Sequence, residues 1–192
     1  MEKILIVTGT PGVGKTVLSR LLSRETHSKF LSVGQLVKKG KLYTRYDRQT
    51  RAYVMDERRT YARLLDLFRL YHGQCLVIET HWLGKFMPKR PGMVAIVVRL
   101  DPLILANRLK LRKWPRRKVW ENIEAELIDL SLYESIKFLG KKRVIEVDAT
   151  LKEPQILLRE VVRLISAGKG WGGSTSDWLS RYDPLELSRK IA

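Results

Sequence analysis

One cysteine, Cys75, is all the chain contains, so no disulfide can form within it. It stands in an apolar run, which reads as a core position in a reducing compartment. No apolar stretch approaches the roughly 18 residues that a membrane span needs. The opening "MEKILIVTG" has only a short apolar run before a glycine loop, which is not the pattern of a secretory signal. Acids are also scarce, 20 against 37 Lys and Arg, which leaves a formal charge of +17. These shortages argue against a disulfide scaffold, a helical membrane protein and a secreted chain. They fit a cytoplasmic protein, or also a nuclear one in a eukaryotic source. The surplus of cations predicts affinity for polyanions such as RNA, DNA, anionic lipid or acidic protein tails. A general solubility adaptation is the bland alternative.

Four short β-branched runs mark the chain: "KILIVT" (3–8), "CLVIET" (75–80), "MVAIVVRL" (93–100) and "RVIEVD" (143–148). "KFLSV" (29–33) is a weaker fifth. Near-continuous apolarity without alternation is the pattern of a strand buried on both faces. Helical periodicity is expected over 15–24, about 54–72, 102–111, 117–138 and 153–167. Strands alternating with helices predict an α/β fold with a mainly parallel sheet and helices on both faces. Two basic insertions interrupt the alternation. The tail 166–192 begins as a Gly/Ser linker, and a short helix is expected after it, capped by Ser176 or Asp177 and carrying Trp178, Leu179 and Tyr182.

"GTPGVGKT", Gly9 to Thr16, matches G-x-x-x-x-G-K-[ST] in full, directly after a strand and at the start of a helix. That context aims backbone N–H groups and a helix N-terminus at an anion. Gly12 and Gly14 let the backbone come close to phosphates. Lys15 supplies a point charge between β- and γ-phosphates, and the Thr16 hydroxyl can ligate Mg²⁺. The expected ligand is therefore a nucleoside triphosphate. "CLVIETHWLG" adds Glu79 and His81, two residues apart on an extended chain and so on one side of it. Both are expected at the carboxyl edge of the sheet, with Glu79 holding Mg²⁺ through water. A helix cap or surface ion pair for Glu79, and a structural role for His81, are the alternatives.

The first insertion, 34–56, interleaves Lys38, Lys39, Lys41, Arg45, Arg48 and Arg51 with Tyr43, Tyr46 and Tyr53. Aromatics among cations suit stacking on a base and neutralising phosphate, whether in an acceptor nucleotide or in single-stranded RNA. Lys38, Tyr43 and Asp56 are the candidate acceptor-binding residues. The second, "RLKLRKWPRRK", holds seven cations (Arg108, Lys110, Arg112, Lys113, Arg116, Arg117 and Lys118). A lid needs two or three cations, arginines among them, to cover a transferring phosphoryl group. Arg112, with Arg108 or Arg116, is read as the lid. Lys110, Lys113, Arg117 and Lys118 are left as an RNA-facing surface.

Together "TGTPGVGKT", "VGQLVKKGKLYTRYD", "VMDER", the acid-x-His of "IETH" and "RLKLRKW…ENIEAEL" resemble adenylate kinase isoenzyme 6 over roughly residues 1–165. The resemblance implies a P-loop, nucleoside monophosphate kinase-like fold, a five-stranded parallel sheet of order 2-3-1-4-5. It places an acceptor flap at about 32–56 and a lid at about 110–120. It implies phosphoryl transfer from ATP to AMP and an intrinsic Mg²⁺-dependent ATPase. It also implies late small-subunit ribosome maturation, with a platform ribosomal protein and rRNA as partners. Family ATP contacts fall on Gly12, Gly14, Lys15, Thr16 and Val17, and the lid arginine on Arg112; Asn122 and Glu126 carry the Asn-x-x-x-Glu helix after the lid. Three positions depart from the family. Glu79 stands where Asp is usual, Lys113 replaces the lid glycine, and the flap is basic rather than acidic. Two readings follow from the same site, an adenylate kinase or an assembly ATPase switching ribosomal contacts. A P-loop kinase for another small acceptor is the third.

Overall fold

A strand covered on both faces must be apolar along its whole length, and the inner strands of this sheet meet that condition. The computed structural model describes residues 3–48, 52–174 and 176–191. In chain order its strands are β1 (Ile4–Thr8), β2 (Lys29–Ser32), β3 (Tyr43–Asp47), β4 (Ala52–Met55), β5 (Leu76–Glu79), β6 (Met93–Arg99) and β7 (Val144–Asp148). The helices are α1 (Lys15–Glu25), α2 (Val33–Lys39), α3 (Glu57–Leu70), α4 (Pro102–Leu111), α5 (Arg116–Leu127), α6 (Leu130–Leu139), α7 (Pro154–Ser166) and α8 (Pro184–Ile191).

Five strands form one parallel sheet in the order β2-β5-β1-β6-β7, which is 2-3-1-4-5 when only its own strands are counted. Alternation splits the core in two. Leu5, Val7, Val77, Ile96 and Val98 face helices α1, α4, α5, α7 and α8, while Ile4, Ile6, Ile78, Ala95 and Val97 face α2, α3 and α6. The register Val7↔Glu79 sets the end of β5 beside the end of β1, so the glycine loop and Glu79 leave the sheet side by side. β2 is an edge strand and only partly buried, which is why its sequence signal was the weakest.

The structure departs from the sequence expectations in four places. The helix expected from about 54 begins at Glu57, because Ala52–Met55 pairs antiparallel with Tyr43–Asp47 and the Asp56 carboxylate accepts from Arg59 N (3.0 Å), capping the helix. The segment expected as a flap thus carries a helix and a two-stranded ribbon; Arg51 lies outside the described residues. The helix expected over 117–138 is two helices. It breaks at Asp129, which adopts φ +55 and turns its carboxylate onto Arg99. The tail helix does not form at 176–182 around Trp178, Leu179 and Tyr182. It starts at Pro184 instead, where the Asp183 carboxylate accepts from Glu186 N (2.9 Å). Asp-Pro at a helix start is a legible signal, and the apolar cluster before it outweighed it in the reading. Finally, the Gly/Ser stretch lies against the body, since Trp171 N donates to Lys141 O (3.0 Å) and a Cβ on Gly170 would meet the Lys142 backbone at 2.6 Å. Among the described residues no helix is long and apolar enough to cross a membrane.

Candidate active site

β1 ends at Thr8 and α1 begins at Lys15, so the six residues between them must turn the chain sharply. Gly9, Gly12 and Gly14 make that turn at φ +139, +103 and +111. A Cβ on Gly9 would stand 2.4 Å from Val98 O, so the loop can sit on β6 only with glycine there. Lys15 is buried (3% exposed), and its Nζ donates to Thr10 O (3.0 Å). Thr16 Oγ1 donates to Glu79 Oε1 (2.6 Å), bringing the start of α1 against the end of β5.

These groups line one cavity of about 320 Å³. Gly12, Gly14, Lys15, Thr16 and Val17 form one side of it, and Glu79, His81 and Arg112 the other. Arg112 is the C-cap of α4, and the next residue, Lys113, adopts φ +56. That is the left-handed conformation glycine adopts without strain. A non-glycine residue there stores about 1 kcal/mol or more of strain in the lid turn. Arg108 Nη1 donates to Gly12 O and Val13 O (3.3 and 3.4 Å), so it holds the loop backbone rather than the cavity. Arg116 does not line this cavity; it borders a separate one together with Ile191 of α8. Of the four cations assigned to a separate surface, Lys118 instead stacks over Trp114, which also lines the cavity (4.3 Å to the ring centre). Arg117 makes an exposed pair with Glu121 (2.9 Å), which contributes little.

Burial lowers the Lys15 pKa from 10.5 to about 8; Glu79 and Glu126 oppose that shift, and Arg112 reinforces it. The His81 pKa is pushed well below its usual value, first by desolvation in the concave mouth, then by Lys15 and Lys118. Its ring nevertheless keeps an exposed surface, so desolvation is partial. Both lysines act in the same direction, and the imidazole is neutral at pH 7. For Mg²⁺, the Thr16 hydroxyl and Glu79 carboxylate supply two hard oxygens at one point beside the glycine loop. Among the described residues no group of three or more His, Cys, Asp or Glu can cage a metal. The donor set therefore fits an ion held by one or two protein oxygens together with a polyphosphate.

The three acceptor candidates lie elsewhere. Lys38 is exposed on the last turn of α2, Tyr43 packs on Tyr53 in the flap ribbon (4.4 Å between ring centres), and Asp56 caps α3. None lines the P-loop cavity. That cavity adjoins a second, of about 430 Å³, through Pro11 and His81, and its other walls include Trp82, Ser131 and Glu134. Glu134 also borders a third of about 640 Å³ that reaches Lys85, Lys89 and Tyr61 of α3. Apart from Tyr61, these walls come from the loop after β5 and from α6, two segments with no phosphate-binding motif, and sequence reasoning missed them.

It also missed Arg99. This guanidinium is 1% exposed and holds three carboxylates: Glu126 (Nε, 2.8 Å), Glu146 (Nη1, 2.8 Å) and Asp129. Glu126, itself 2% exposed, accepts from Thr10 Oγ1 through its other oxygen (2.5 Å). The signal was a lone cation in the apolar run "MVAIVVRL", because a charge at such a position needs buried partners.

A glycine loop between strand and helix, on a parallel sheet of this order, defines a P-loop kinase fold. Solved structures agree. The gluconokinase of Sinorhizobium meliloti 1021 superposes with TM-score 0.57 and 16% identity, over 86% of this chain and 92% of its own. The shikimate kinase of Acinetobacter baumannii, solved with shikimate, gives 0.59 and 18%, over 88% and 96%. At such identities the likeness is one of fold. The sequence model of a family described as an AAA domain matches residues 5–129. The "Putative adenylate kinase" of Thermococcus onnurineus is 34% identical over 182 residues, 95% of this chain and 94% of its own. The protein of the same name from Saccharolobus islandicus is 38% identical over 164 residues, 83% of this chain and 81% of its own. That from Methanocaldococcus jannaschii is 33% identical over 187, 97% and 99%. The chain belongs to the P-loop phosphotransferase family that these archaeal proteins form.

Proposed function

We propose that this protein transfers the γ-phosphoryl group of MgATP to AMP, as an adenylate kinase of the isoenzyme 6 type. One observation carries the reading: the P-loop cavity, with Lys15, Thr16, Glu79 and Arg112 on its walls, shares Pro11 and His81 with a second cavity of about 430 Å³. Two ligands lying end to end in those spaces bring a terminal phosphate against an acceptor. Gly12, Gly14 and Val17 cradle the phosphates of ATP. An acceptor phosphate oxygen forms a bond to the γ-phosphorus while the bond to the β–γ bridging oxygen breaks, and ADP keeps that electron pair. Lys15 and Arg112 spread over the charge of the transferring group. Thr16 and Glu79, the latter through water, would hold Mg²⁺, which would supply positive charge against the triphosphate. Neutral His81, at the junction of the two cavities, orients the acceptor or a water by hydrogen bonding. With water as acceptor, the same site is an ATPase.

A second reading favours assembly over metabolism: an ATPase whose contacts with rRNA and a platform ribosomal protein change with the nucleotide. The flap ribbon supports it, with Tyr46 49% exposed and Tyr53 40% exposed, among Lys41, Arg45 and Arg48. Exposed rings among cations suit stacked bases and a phosphate backbone. The deciding assay compares ADP formed from ATP plus AMP with phosphate released from ATP alone, each with and without rRNA. Kinase turnover far above hydrolysis is expected. If AMP adds nothing while RNA alters hydrolysis, the kinase reading fails and the assembly reading takes its place.

Nucleotide binding should also take up protons. Free Lys15 titrates near pH 8, and a bound triphosphate favours its ammonium form. Roughly half a proton per site is therefore expected at pH 8, and close to none at pH 6. Calorimetry of MgATP binding in two buffers of different ionisation enthalpy reads this directly. Equal uptake at both pH values would mean Lys15 is not the titrating group. The sign for the ligand-free protein is the reverse of the usual lysine case. Its pKa is lower folded than unfolded, so this group adds stability as pH rises from 8 toward 10.5.

A further inference from the structure

We propose that the tail is a positioning element of the nucleotide site: docked, Trp171, Ser174 and Tyr182 hold the P-loop and lid in nucleotide-binding geometry, so that nucleotide binding and tail docking favour one another. The inference rests on the reading that the P-loop cavity takes a nucleoside triphosphate. None of these three residues touches that cavity, yet two separate routes lead from them to it.

The first route is a chain of hydrogen bonds through the sheet. Trp171 Nε1 and Ser174 Oγ donate to Glu146 (3.1 and 3.3 Å). Glu146 accepts from Arg99, Arg99 donates to Glu126, and Glu126 accepts from Thr10 Oγ1 in the glycine loop. The carbonyl of that same Thr10 holds Lys15 Nζ. Every member between tail and loop is at least nine-tenths buried, so a shift at one end is poorly screened at the other.

The second route runs through the lid helix. Tyr182 donates its hydroxyl to Asp101 Oδ2, while Asp101 Oδ1 caps α4 by accepting from Leu103 N and Ile104 N (2.8 and 3.2 Å). Burial and Asp101 raise the Tyr182 pKa to about 12, so the phenol stays a donor through the neutral range. α4 carries Arg108, which grips the loop carbonyls, and ends at Arg112 in the cavity. α8 packs against α4 and α5, the two helices that flank the lid, and Ile191 stands behind Trp114 and Arg116. Trp178 is 0% exposed, yet its Nε1 has no hydrogen-bond partner among the described residues, nor has Ser176 Oγ. Such groups make the docked state less stable than its apolar burial alone would give.

Coupling of two sites is reciprocal, and that supplies the test. Hydrogen exchange is measured on the full chain with and without a non-hydrolysable MgATP analogue, for the native protein, Tyr182→Phe and Trp171→Phe. In the native protein the analogue is expected to slow exchange in the loop, in the lid and across 176–191. Each variant is expected to raise KM for MgATP by about fivefold or more, within the usual range of coupling between sites, with a smaller change in kcat. Two outcomes overturn the inference: protection of loop and lid with 176–191 unchanged, or variants that lower Tm while KM stays as in the native protein. Protection nowhere in the native protein would overturn the nucleotide-site reading itself, and this inference with it.

Discussion

Lys15→Met is expected to abolish phosphoryl transfer and hydrolysis together, by about a thousandfold or more, without lowering the thermal midpoint. The activity loss follows from position. Lys15 is the buried cation at the head of α1, in the one cavity that also holds Thr16, Glu79 and Arg112. Removing a preorganised donor to a transferring group costs on the order of a hundred- to a thousandfold, and here a full charge goes with it. The stability half of the prediction follows from the lowered pKa. Desolvation outweighs the pull of Glu79 and Glu126, so the ammonium at neutral pH is less favoured in the folded ligand-free chain than in the unfolded one. A methionine of similar length removes that penalty. Coupled assays of ADP and of phosphate, together with a thermal melt, check both halves. Appreciable turnover in the variant would remove Lys15 from the mechanism.

Arg99→Leu is expected to destabilise the protein by about 3–5 kcal/mol, the usual cost of removing one partner from a buried ion network. The loss falls at the high end because Glu126 and Glu146 lose their common partner at once, and Asp129 loses its ion pair. For a chain of this size that is on the order of a 10 °C fall in Tm. Nucleotide affinity should fall as well, since Glu126 is also the acceptor for Thr10 of the glycine loop. Differential scanning calorimetry with a MgATP titration reads both. A variant melting within two or three degrees of the native protein would show that the network contributes little.

The P-loop cavity was legible in large part because its residues are local. Gly12, Gly14, Lys15, Thr16 and Val17 are consecutive or nearly so, and their chemistry is fixed by a strand, a turn and a helix that follow one another. Glu79 was legible by the same logic, as the acid closing an apolar strand, and its meeting with Thr16 follows from the pairing of β5 with β1. Arg112 was legible only as one of seven cations. What singles it out is its place as the C-cap of α4, where the helix axis delivers it to the cavity. Cys75, read as a core residue, is only half-buried, because it precedes the buried part of β5.

The second cavity was not legible, and the reason is physical. Lys38, Tyr43 and Asp56 were chosen from a basic, aromatic segment, but a helix cap and a ring stack already engage two of them, and none reaches the cavity. The second cavity is walled by Trp82, Ser131 and Glu134, residues brought together from segments some fifty positions apart. No periodicity or motif marks such a wall, because it exists only where two separate elements happen to face each other.

By itself, then, the sequence determined the alternation of strands and helices that makes a mainly parallel sheet, and the phosphate-binding loop, both of which rest on short-range pattern and on apolar burial. The strand order was expected from the resemblance alone. The tertiary structure alone decided which cations of 108–118 line the cavity, which carboxylates hold Arg99, and that the tail lies against α4 and α5. Those outcomes depend on distances across the sheet between residues far apart in the chain. Such distances are set by packing, and a linear pattern does not encode them.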